Sequence, residues 1–406
     1  PNLNNIENMM KNALNIGCKS AAIVLMHSWK YPKNEKLLEK LAKNIGFNYV
    51  ICSHKTIPLI GLLGRGGTTV IDAYLTPKLS QYTSSIAKKL NKTQLLFMKS
   101  SGGLSSYKNF KGKDAVLSGP AGGVIAAVEI NKNDKKYSGI IGIDMGGTST
   151  DVFHYKDEYE RSNENNVAGN KIKVPMLKIN TIASGGGSII SFDGQKITVG
   201  PESAGAFPGP ACYGHRGPAT ITDCNLILGR IQSSNFPKIF GKSEKKSLNI
   251  QASKLALQKI ANNILIKTKK KISIFDLAEG SLKIAIENMT NAIKNISIEK
   301  GHDIKNHVLV GYGAAAGQHL CFIAESLNMK NILIHEFAGV LSAYGMGLAQ
   351  LKSIKTKTVE SNFHKNFKNI KLIFKSLKNK AIKDIKNNGQ SIDENKIIIT
   401  NKINIK

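Results

Sequence analysis

Two aspartates flank a glycine turn in the segment GIIGIDMGGTSTDVFHY, residues 139–155. Its apolar first half predicts a buried strand that ends at Asp144. Gly146 and Gly147 then form a tight turn whose backbone N–H groups can approach an anion, because no Cβ stands in the way. Asp144 and Asp151 supply carboxylates suited to holding hydrated Mg²⁺ or orienting a water molecule. The segment therefore predicts a phosphate loop with two catalytic aspartates, of which Asp144 is the Mg²⁺ ligand.

Three hydroxyl side chains complete this loop. Thr148, Ser149 and Thr150 can add O–H donors to the phosphate contacts. A plain glycine turn capped by aspartate is the structural alternative. The P-loop pattern G-x-x-x-x-G-K-[ST] and the dinucleotide pattern G-x-G-x-x-G are both missing from the segment. Its D-x-G-G-T-x-T-D arrangement instead resembles the phosphate loops of the sugar kinase, heat-shock ATPase and actin superfamily.

A second glycine cluster, VLVGYGAAAGQHL at 308–320, again follows a predicted strand and opens a helix. Gly311, Gly313 and Gly317 keep the backbone bare, as an adenosine lying against a helix N-terminus requires. In the resembling superfamily such a cluster forms the adenosine site. Close packing of a strand on a helix would select the same small residues, so that alternative stays open.

Further glycine clusters occur in SSGGL, SGPAGGV and ASGGGSI. Any one of them could be a simple turn. Because each falls where a strand should end or a helix begin, we expect them to line a nucleotide cleft between two lobes. Gly185, Gly186 and Gly187 are the candidate cofactor contacts of the third cluster.

The elements that position these motifs alternate between strand and helix, which predicts an α/β fold. Apolar spacing predicts strands at Ser20–Met26, Gly139–Asp144 and His307–Tyr312, and helices at Pro77–Leu90 and Ser281–Lys300. A polar stretch before Gly139 marks a boundary. We predict three segments, namely 1–137, 138–350 and 351–406.

Composition narrows the function classes. The net charge is +29, but the lysines are spread along the chain without aromatic interleaving or a nucleic-acid-binding motif, so we expect no nucleic acid partner. The longest apolar run, Ala21–Met26, falls well short of the roughly 20 residues of a spanning helix, so we expect no membrane partner. Five scattered cysteines and the lack of a signal-peptide pattern are typical of a cytoplasmic protein.

Longer segments resemble one family, the hydantoinase A/oxoprolinase family. They follow that family's order from about Leu63 to Ala349 and include LGRGGTTVIDAYLTPKL, LSGPAGGV, GIDMGGTSTDV, INTIASGGGSI, FPKIFG, GAAAGQHLCFIAESL and IHEFAGVLSAYGMGLA. The segments FPKIFG, GQH and HEFAGVLSAYG are most similar to its 5-oxoprolinase branch. The resemblance implies an actin-like ATPase fold of two lobes. Residues 1–137 would be the remainder of the N-terminal lobe, 138–350 the ATP-binding lobe and 351–406 the start of a truncated domain.

The resemblance also implies a reaction. ATP would drive opening of the 5-oxo-L-proline lactam to L-glutamate, with phosphoryl transfer to the amide oxygen and release of ADP and phosphate. The cofactors would be ATP and Mg²⁺, and the partners a small lactam and a hydantoinase B-type half or subunit in an oligomer. The alternatives are an N-methylhydantoinase, the ATP-binding subunit of an acetone-type carboxylase, and a non-catalytic nucleotide-binding module.

Family members also begin with another D-x-G-G-T-x-T-D loop, and nothing similar precedes Gly139 here. We therefore expect this chain alone to be inactive, with one phosphate loop and the hydantoinase B half missing. Three other features are weaker candidates. Arg65 could face an anion or form a surface salt bridge, and His319 could touch a nucleotide or pack in the core. The spacing of Cys212, His215, Asp223 and Cys224 matches no standard zinc pattern, so a metal site at these residues is disfavoured.

Overall fold

The computed structural model describes residues 3–91, 93–132, 136–167, 169–241, 244–360, 367–388 and 396–403. They form two compact units. The first unit is drawn from Pro1–Gly122, Arg161–Leu177 and Leu348–Lys406, and the second from Gly123–Glu160 and Lys178–Gly347. Each unit therefore combines separated stretches of chain, whereas the three predicted segments are consecutive blocks whose boundaries stay a prediction.

Both units contain helices and strands. The helices are α1 Leu3–Asn15, α2 Lys33–Ile45, α3 Ser53–Thr56, α4 Leu62–Lys89, α5 Gly112–Ala115, α6 Ser118–Asn131, α7 Ile221–Ile227, α8 Ile250–Thr268, α9 Ile274–Ile296, α10 Leu320–Ser326, α11 Leu341–Leu348 and α12 Phe367–Lys386. The strands are β1 Ser20–Ile23, β2 Tyr49–Cys52, β3 Leu96–Met98, β4 Leu104–Ser106, β5 Ile140–Met145, β6 Thr150–Lys156, β7 Glu158–Tyr159, β8 Arg161–Ser162, β9 Asn165–Val167, β10 Asn170–Ile172, β11 Met176–Leu177, β12 Asn180–Ile182, β13 Ser188–Phe192, β14 Ile197–Ser203, β15 Val308–Tyr312 and β16 Asn331–Ile334.

The second unit is built on a six-stranded sheet in the order β12-β6-β5-β15-β16, with β7 paired to β6. β15 runs parallel to both β5 and β16, and β6 runs antiparallel to β5. All five residues of β15 and all but one residue of β5 are buried. Such burial explains why these two strands show as continuous apolar runs in the sequence. The predicted strands at Gly139–Asp144 and His307–Tyr312 are confirmed to within a residue.

A long helix, α9, contributes much of the core beside this sheet. Its side chains at Leu282, Met289 and Ile293 are almost fully buried, as their helical spacing predicts. The helix begins earlier than the predicted Ser281, because the Ser273 hydroxyl accepts the Asp276 N–H at 3.1 Å and caps its first turn. This cap is a local signal that the apolar spacing does not contain.

The first unit contains a parallel pair, β1 and β2, packed with α2 and α4. The predicted helix Pro77–Leu90 is too short, because α4 runs through Pro77 and starts at Leu62. Its N-terminal half contains three glycines, and other backbone approaches closely at one of them, Gly67. A Cβ on Gly67 would lie 2.5 Å from the Lys171 carbonyl oxygen. Helix propensity therefore gives way to tertiary packing in this segment.

Arg65 lies inside the first unit with only 1% of its surface exposed, so the surface salt bridge considered above is wrong. Its guanidinium donates to the Ser53 hydroxyl at 2.9 Å and to the Leu25 carbonyl at 2.7 Å. The same Ser53 hydroxyl donates to the buried Glu35 carboxylate at 2.6 Å. Arg65 and Glu35 thus belong to one internal hydrogen-bond network, which explains a buried arginine without an external anion.

Two general features of the chain follow. Among the described residues, no helix combines the length and the apolar character needed to cross a membrane. All five cysteines lie in described segments and are unpaired, with Cys18 and Cys321 exposed and the other three buried.

Candidate active site

The two predicted catalytic aspartates face each other across a pair of antiparallel strands. β5 ends with Asp144 and Met145, and β6 begins at Thr150, so Asp144 and Asp151 are direct cross-strand partners. Both side chains are half-buried. The strand pairing therefore brings together two carboxylates that are separated by the glycine turn in the sequence.

The environment of this pair disfavours negative charge. Burial, together with the negative charge of the neighbouring Asp151 carboxylate, raises the pKa of Asp144 to about 6. Burial also raises the pKa of Asp151, while a 2.5 Å hydrogen bond from the Thr181 hydroxyl opposes that rise. In the described part of the chain, neither carboxylate forms a salt bridge with a lysine or arginine. A divalent cation between them would stabilise both ionised forms.

The turn between the strands offers an open cradle of N–H groups. The Gly146 N–H closes the turn on the Ser149 carbonyl at 3.2 Å. The N–H groups of Gly147 and Thr148 have no acceptor among the described residues. A Cβ built on Gly146 or Gly147 would meet nothing within 4 Å. Backbone donors beside open space are what a phosphate group requires.

The three hydroxyl residues of the loop are placed differently from one another. Thr148 is exposed and Ser149 is half-buried, so both can reach a ligand in the cradle. Thr150 is fully buried, and its hydroxyl donates to the Ser184 carbonyl. The hydroxyl of Thr150 therefore fastens β6 to the segment before Gly185, and its predicted contact with a cofactor stays a prediction.

The third glycine cluster lies directly behind the cradle. The Gly186 N–H donates to the Gly146 carbonyl at 3.1 Å, and the Gly187 N–H donates to the Gly147 carbonyl at 2.6 Å. The Gly185 N–H donates to the Ser188 hydroxyl at 2.9 Å. All three N–H groups are already paired, two of them with carbonyls of the turn, so this cluster holds the turn between β5 and β6 in shape. Their direct contact with a nucleotide stays a prediction.

The second glycine cluster adjoins the aspartates through strand β15. Tyr312 pairs with Asp144 in register, and the Ala315 N–H donates to the Met145 carbonyl at 3.0 Å. Gly313 has a φ of +83°, and a Cβ there would lie 2.5 Å from a carboxylate oxygen of Asp144. Only glycine fits this backbone and this contact.

The other two predicted glycines of this cluster lie apart. A Cβ on the buried Gly311 would lie 2.1 Å from a methyl group of Leu320, so this glycine permits close packing of β15 on α10. Gly317 is exposed, and a Cβ there would meet a methyl group of Ile334 at 3.9 Å, an ordinary contact distance. Of the three, the structure therefore brings Gly313 against the aspartate pair and leaves Gly317 accessible to a ligand.

Sequence reasoning missed two residues that contact the site. Thr181 on β12 donates to Asp151, and Tyr312 lies buried beside both aspartates. A Cβ on Gly123 would lie 2.4 Å from the Tyr312 ring, so the SGPAGGV cluster makes room for that ring. The tyrosine interrupting the glycines of VLVGYGAAAG is the signal that could have identified it.

Comparison with known proteins identifies a family that this chain matches. The hydantoinase/oxoprolinase family model matches residues 65–355. The chain belongs to the hydantoinase/oxoprolinase family. The resemblance seen in its motifs is therefore confirmed.

The relatives of this hydantoinase/oxoprolinase chain include proteins named for different reactions. It is 44% identical to 5-oxoprolinase 1 of Arabidopsis thaliana, an alignment that covers 84% of this chain and 28% of that protein. The crystal structure of ATP-dependent caprolactamase from Pseudomonas jessenii matches with a TM-score of 0.80 at 29% identity, over 96% of this chain and 56% of that one. Nucleotide-free acetone carboxylase matches with a TM-score of 0.73 at 24% identity, over 95% and 56% of the two chains. The mixed α/β fold is thereby confirmed, and the chain spans under a third of its plant relative.

A buried polar cluster in this hydantoinase/oxoprolinase chain surrounds His319, which follows the second glycine cluster. The imidazole is 0% exposed and contacts the Asn225 amide nitrogen at 3.3 Å through Nε2, while its Nδ1 has no partner among the described residues. Burial lowers the pKa of His319 to about 4, and the nearby Arg230 adds to the effect. His319 is therefore a neutral core histidine at physiological pH.

This pKa makes the stability of the protein depend on pH. An unfolded histidine takes up a proton below about pH 6.5, whereas folded His319 does so only near pH 4. The unfolded state therefore binds more protons in this window, and stability is lost as the pH falls from 6.5 to 4. We expect the loss from this group to reach about 3 kcal/mol at pH 4, at roughly 1.4 kcal/mol for each pH unit.

Urea unfolding at pH 7, 5.5 and 4 measures this dependence in the wild type and in the His319→Gln variant. The difference between their unfolding free energies should shift by the expected amount in favour of the variant on acidification. His215→Gln, at a half-exposed site in the same unit, is the matched control and should follow the wild type. Parallel pH profiles for wild type and His319→Gln would contradict the assignment.

In this family member, the segment that contains Cys212 and Cys224 is organised by Asp223. The buried Asp223 carboxylate accepts the N–H groups of Ala211, Cys212 and Thr220 at 3.1, 2.8 and 2.9 Å. It also accepts the Thr220 and Ser253 hydroxyls at 2.9 and 2.6 Å. Burial raises the pKa values of the Cys212 and Cys224 thiols well above the ordinary value, so both thiols stay neutral.

Proposed function

We propose that this chain is the nucleotide-binding part of an ATP-dependent cyclic amidohydrolase whose substrate is 5-oxo-L-proline. The products would be L-glutamate, ADP and phosphate. The observation that carries the proposal is the cradle at Gly147 and Thr148, where free backbone donors lie beside the paired carboxylates of Asp144 and Asp151. Membership of the hydantoinase/oxoprolinase family and 44% identity to a plant 5-oxoprolinase support it.

The residues of the loop fit a nucleotide with its Mg²⁺ ion. The N–H groups of Gly147 and Thr148 would donate to phosphate oxygens, and the open space over Gly146 and Gly147 admits them. Asp144 would hold Mg²⁺, because its partly buried carboxylate has a carboxylate neighbour and no cationic partner among the described residues. Asp151, positioned by Thr181, would orient a water molecule of the ion.

ATP supplies a phosphoryl group that turns the amide oxygen of an otherwise unreactive lactam into a leaving group. The contribution of this chain would be to position that group and neutralise its charge, which is what phosphoryl transfer chiefly needs. Gly313 and Gly317 would leave room for the adenosine beside the loop. The lactam and the hydrolytic step would require the hydantoinase B-type partner.

The supporting role of Gly185 gives a specific prediction. A Cβ at this position would lie 2.8 Å from backbone atoms of Gly147 and Thr148, so Gly185→Ala should displace the cradle. A displacement on the order of 1 Å can reduce activity roughly 100-fold, and we expect a loss of about 10- to 100-fold in nucleotide affinity. Isothermal titration with Mg²⁺·ADP measures it.

Gly280→Ala is the matched control for this substitution. Gly280 lies inside α9, and a Cβ there meets nothing within 4 Å. Alanine is the better helix former, so this variant should bind nucleotide normally and gain about 0.5–1 kcal/mol of stability. Equal affinities for Gly185→Ala and Gly280→Ala would show that the glycine cluster does not shape the site.

A second lactam is a reasonable competitor as substrate, because the caprolactamase structure matches over 96% of this chain with a TM-score of 0.80. The similarity to acetone carboxylase is below 25% sequence identity and therefore supports only a shared fold. A non-catalytic nucleotide-binding module would share the cradle and lack lactam-stimulated turnover.

Phosphate release from the chain assembled with its hydantoinase B-type partner separates these functions. The panel consists of 5-oxo-L-proline, caprolactam, hydantoin and acetone with bicarbonate, each tested with Mg²⁺·ATP. We expect stimulation by 5-oxo-L-proline, with one glutamate formed for each phosphate. Stimulation by caprolactam alone would change the substrate within the same reaction class. Stimulation only by acetone with bicarbonate, or by none of the four, would overturn the proposal.

A further inference from the structure

A second group of ionisable side chains lies in the same unit, away from the phosphate loop. His154, Glu160 and His302 each offer a ligand atom, and the three atoms lie within 4.8 Å of one another. His154 is buried, and the other two are half-buried. His154 lies three residues beyond Asp151 on β6, which corresponds to roughly 10 Å along the strand. This histidine cluster is therefore distinct from the proposed nucleotide site.

We propose that His154, Glu160 and His302 bind a divalent transition-metal ion of the zinc class. Two imidazoles and one carboxylate are ligands that Zn²⁺ prefers, and three protein ligands leave a fourth position for water. Bonds of about 2.0–2.2 Å in a tetrahedral site separate neighbouring ligand atoms by roughly 3.4 Å. The three ligand atoms of the histidine cluster, which lie within 4.8 Å of one another, need only small shifts to reach this separation.

The existing contacts show how the ion would enter. The Nδ1 atom of His154 lies 2.6 Å from a carboxylate oxygen of Glu160, a distance that accommodates one proton between the two atoms. A metal ion would replace this proton and widen the gap by under 1 Å. His302 packs against His154 with ring centroids 4.4 Å apart and the ring planes tilted by 32°, and its ring nitrogens have no hydrogen-bond partner in the described segments. Its lone pair is therefore available as the third ligand.

An outer shell for the histidine cluster is already present. The Nε2 atom of His154 lies 3.1 Å from the Nε2 atom of His307, whose Nδ1 lies 2.9 Å from the Ser138 hydroxyl. When a metal occupies Nδ1 of His154, Nε2 carries the proton and donates to His307, which in turn donates to Ser138. Metal-bound histidines usually have such a partner on the second nitrogen.

Two lysines act against cation binding. Lys300 and Lys178 lie 3.3 and 3.9 Å from the other carboxylate oxygen of Glu160. They orient the carboxylate but lower its attraction for a cation. The side chains are 30% and 42% exposed, so solvent screens much of their charge. Removing Lys300 should therefore tighten metal binding, which a hydrogen-bonded cluster without a metal would not predict.

Titration of the chelator-stripped 406-residue chain with ZnCl₂, followed by calorimetry, tests the site, with CoCl₂ absorbance as a report on tetrahedral geometry. We expect one equivalent to bind saturably. Loss of an outer-shell partner costs about 10- to 100-fold in affinity, so loss of a ligand in His302→Ala or Glu160→Gln should cost at least about 100-fold. Lys300→Ala should bind more tightly, and His215→Ala should bind like the wild type.

Two outcomes would overturn the metal site. One is the lack of saturable binding to the wild type. The other is equal binding in the wild type, His302→Ala and Glu160→Gln, which would assign the metal to other groups such as the exposed thiols of Cys18 and Cys321. Because Glu160→Gln retains the size and hydrogen-bonding ability of the side chain, it keeps the test decisive if His302→Ala folds poorly.

Discussion

Replacing Asp144 with asparagine should reduce the proposed lactam-stimulated phosphate release roughly 100- to 10,000-fold in the chain assembled with a hydantoinase B-type partner. The substitution removes the proposed Mg²⁺ ligand and keeps the size of the side chain. Metal ions supply several kcal/mol of charge stabilisation in phosphoryl transfer, and each 1.4 kcal/mol corresponds to about a factor of ten. Steady-state rates at saturating ATP measure the loss. A rate within threefold of the wild type would exclude Asp144 from the reaction.

The same variant carries its own control for folding. The pKa of Asp144 is raised to about 6, so its carboxylate ionises less readily in the folded than in the unfolded protein. The group therefore lowers stability progressively as the pH rises from about 4 to above 6. Asp144→Asn removes this destabilising contribution and should be at least as stable as the wild type at pH 7.5. An inactive but equally stable variant separates chemistry from misfolding.

The largest effect on stability should come from Asp223→Ala. The substitution leaves three backbone N–H groups and two hydroxyls without their buried acceptor. An unsatisfied buried donor costs about 1–3 kcal/mol, and we expect a total of about 3–5 kcal/mol after partial rearrangement. For a unit of this size the loss corresponds to roughly 10 °C in the midpoint of thermal unfolding. Circular dichroism melts of the ligand-free chain measure it.

Asp193→Ala is the matched control for Asp223. Asp193 also accepts two backbone N–H groups, from Gln195 and Lys196, but it does so in an exposed turn where water can replace it. Its melting midpoint should stay at the wild-type value. Similar midpoints for both alanine variants would show that the segment that contains Cys212 and Cys224 does not depend on Asp223.

The elements that the sequence predicts well are those whose burial is local. The apolar run before Asp144 and the helical spacing of Leu282, Met289 and Ile293 reflect a strand and a helix covered by core, and both occur where expected. Helix α4 was predicted too short because Gly64, Gly67 and Pro77 are typical of loops. Its glycines serve contacts with residues about 100 positions away, such as Lys171, and no local rule contains them.

The candidate site likewise contains residues that local sequence patterns predict and residues that they do not. Asp144 and Asp151 were both predicted as carboxylates of the phosphate loop, and the pairing of β5 with β6 makes them cross-strand neighbours. The role of Gly185 could not be predicted, since its partners are backbone atoms of Gly147 and Thr148. The histidine cluster has no sequence signature, because His302 is separated from Glu160 in the sequence by most of the residues of the second unit. Such a site becomes visible only when the strands and loops are placed in space.

The most direct test of the account uses Gly147→Val and measures the dissociation constant of Mg²⁺·ADP by isothermal titration. A Cβ on Gly147 meets nothing within 4 Å, so the substitution should leave the folded protein intact while its side chain occupies the cradle. We predict at least about a 100-fold loss of affinity with an unchanged melting midpoint, since a blocked cradle loses several charge-assisted hydrogen bonds. Unchanged affinity in Gly147→Val would mean that the phosphates bind elsewhere, and the proposed nucleotide site would be wrong.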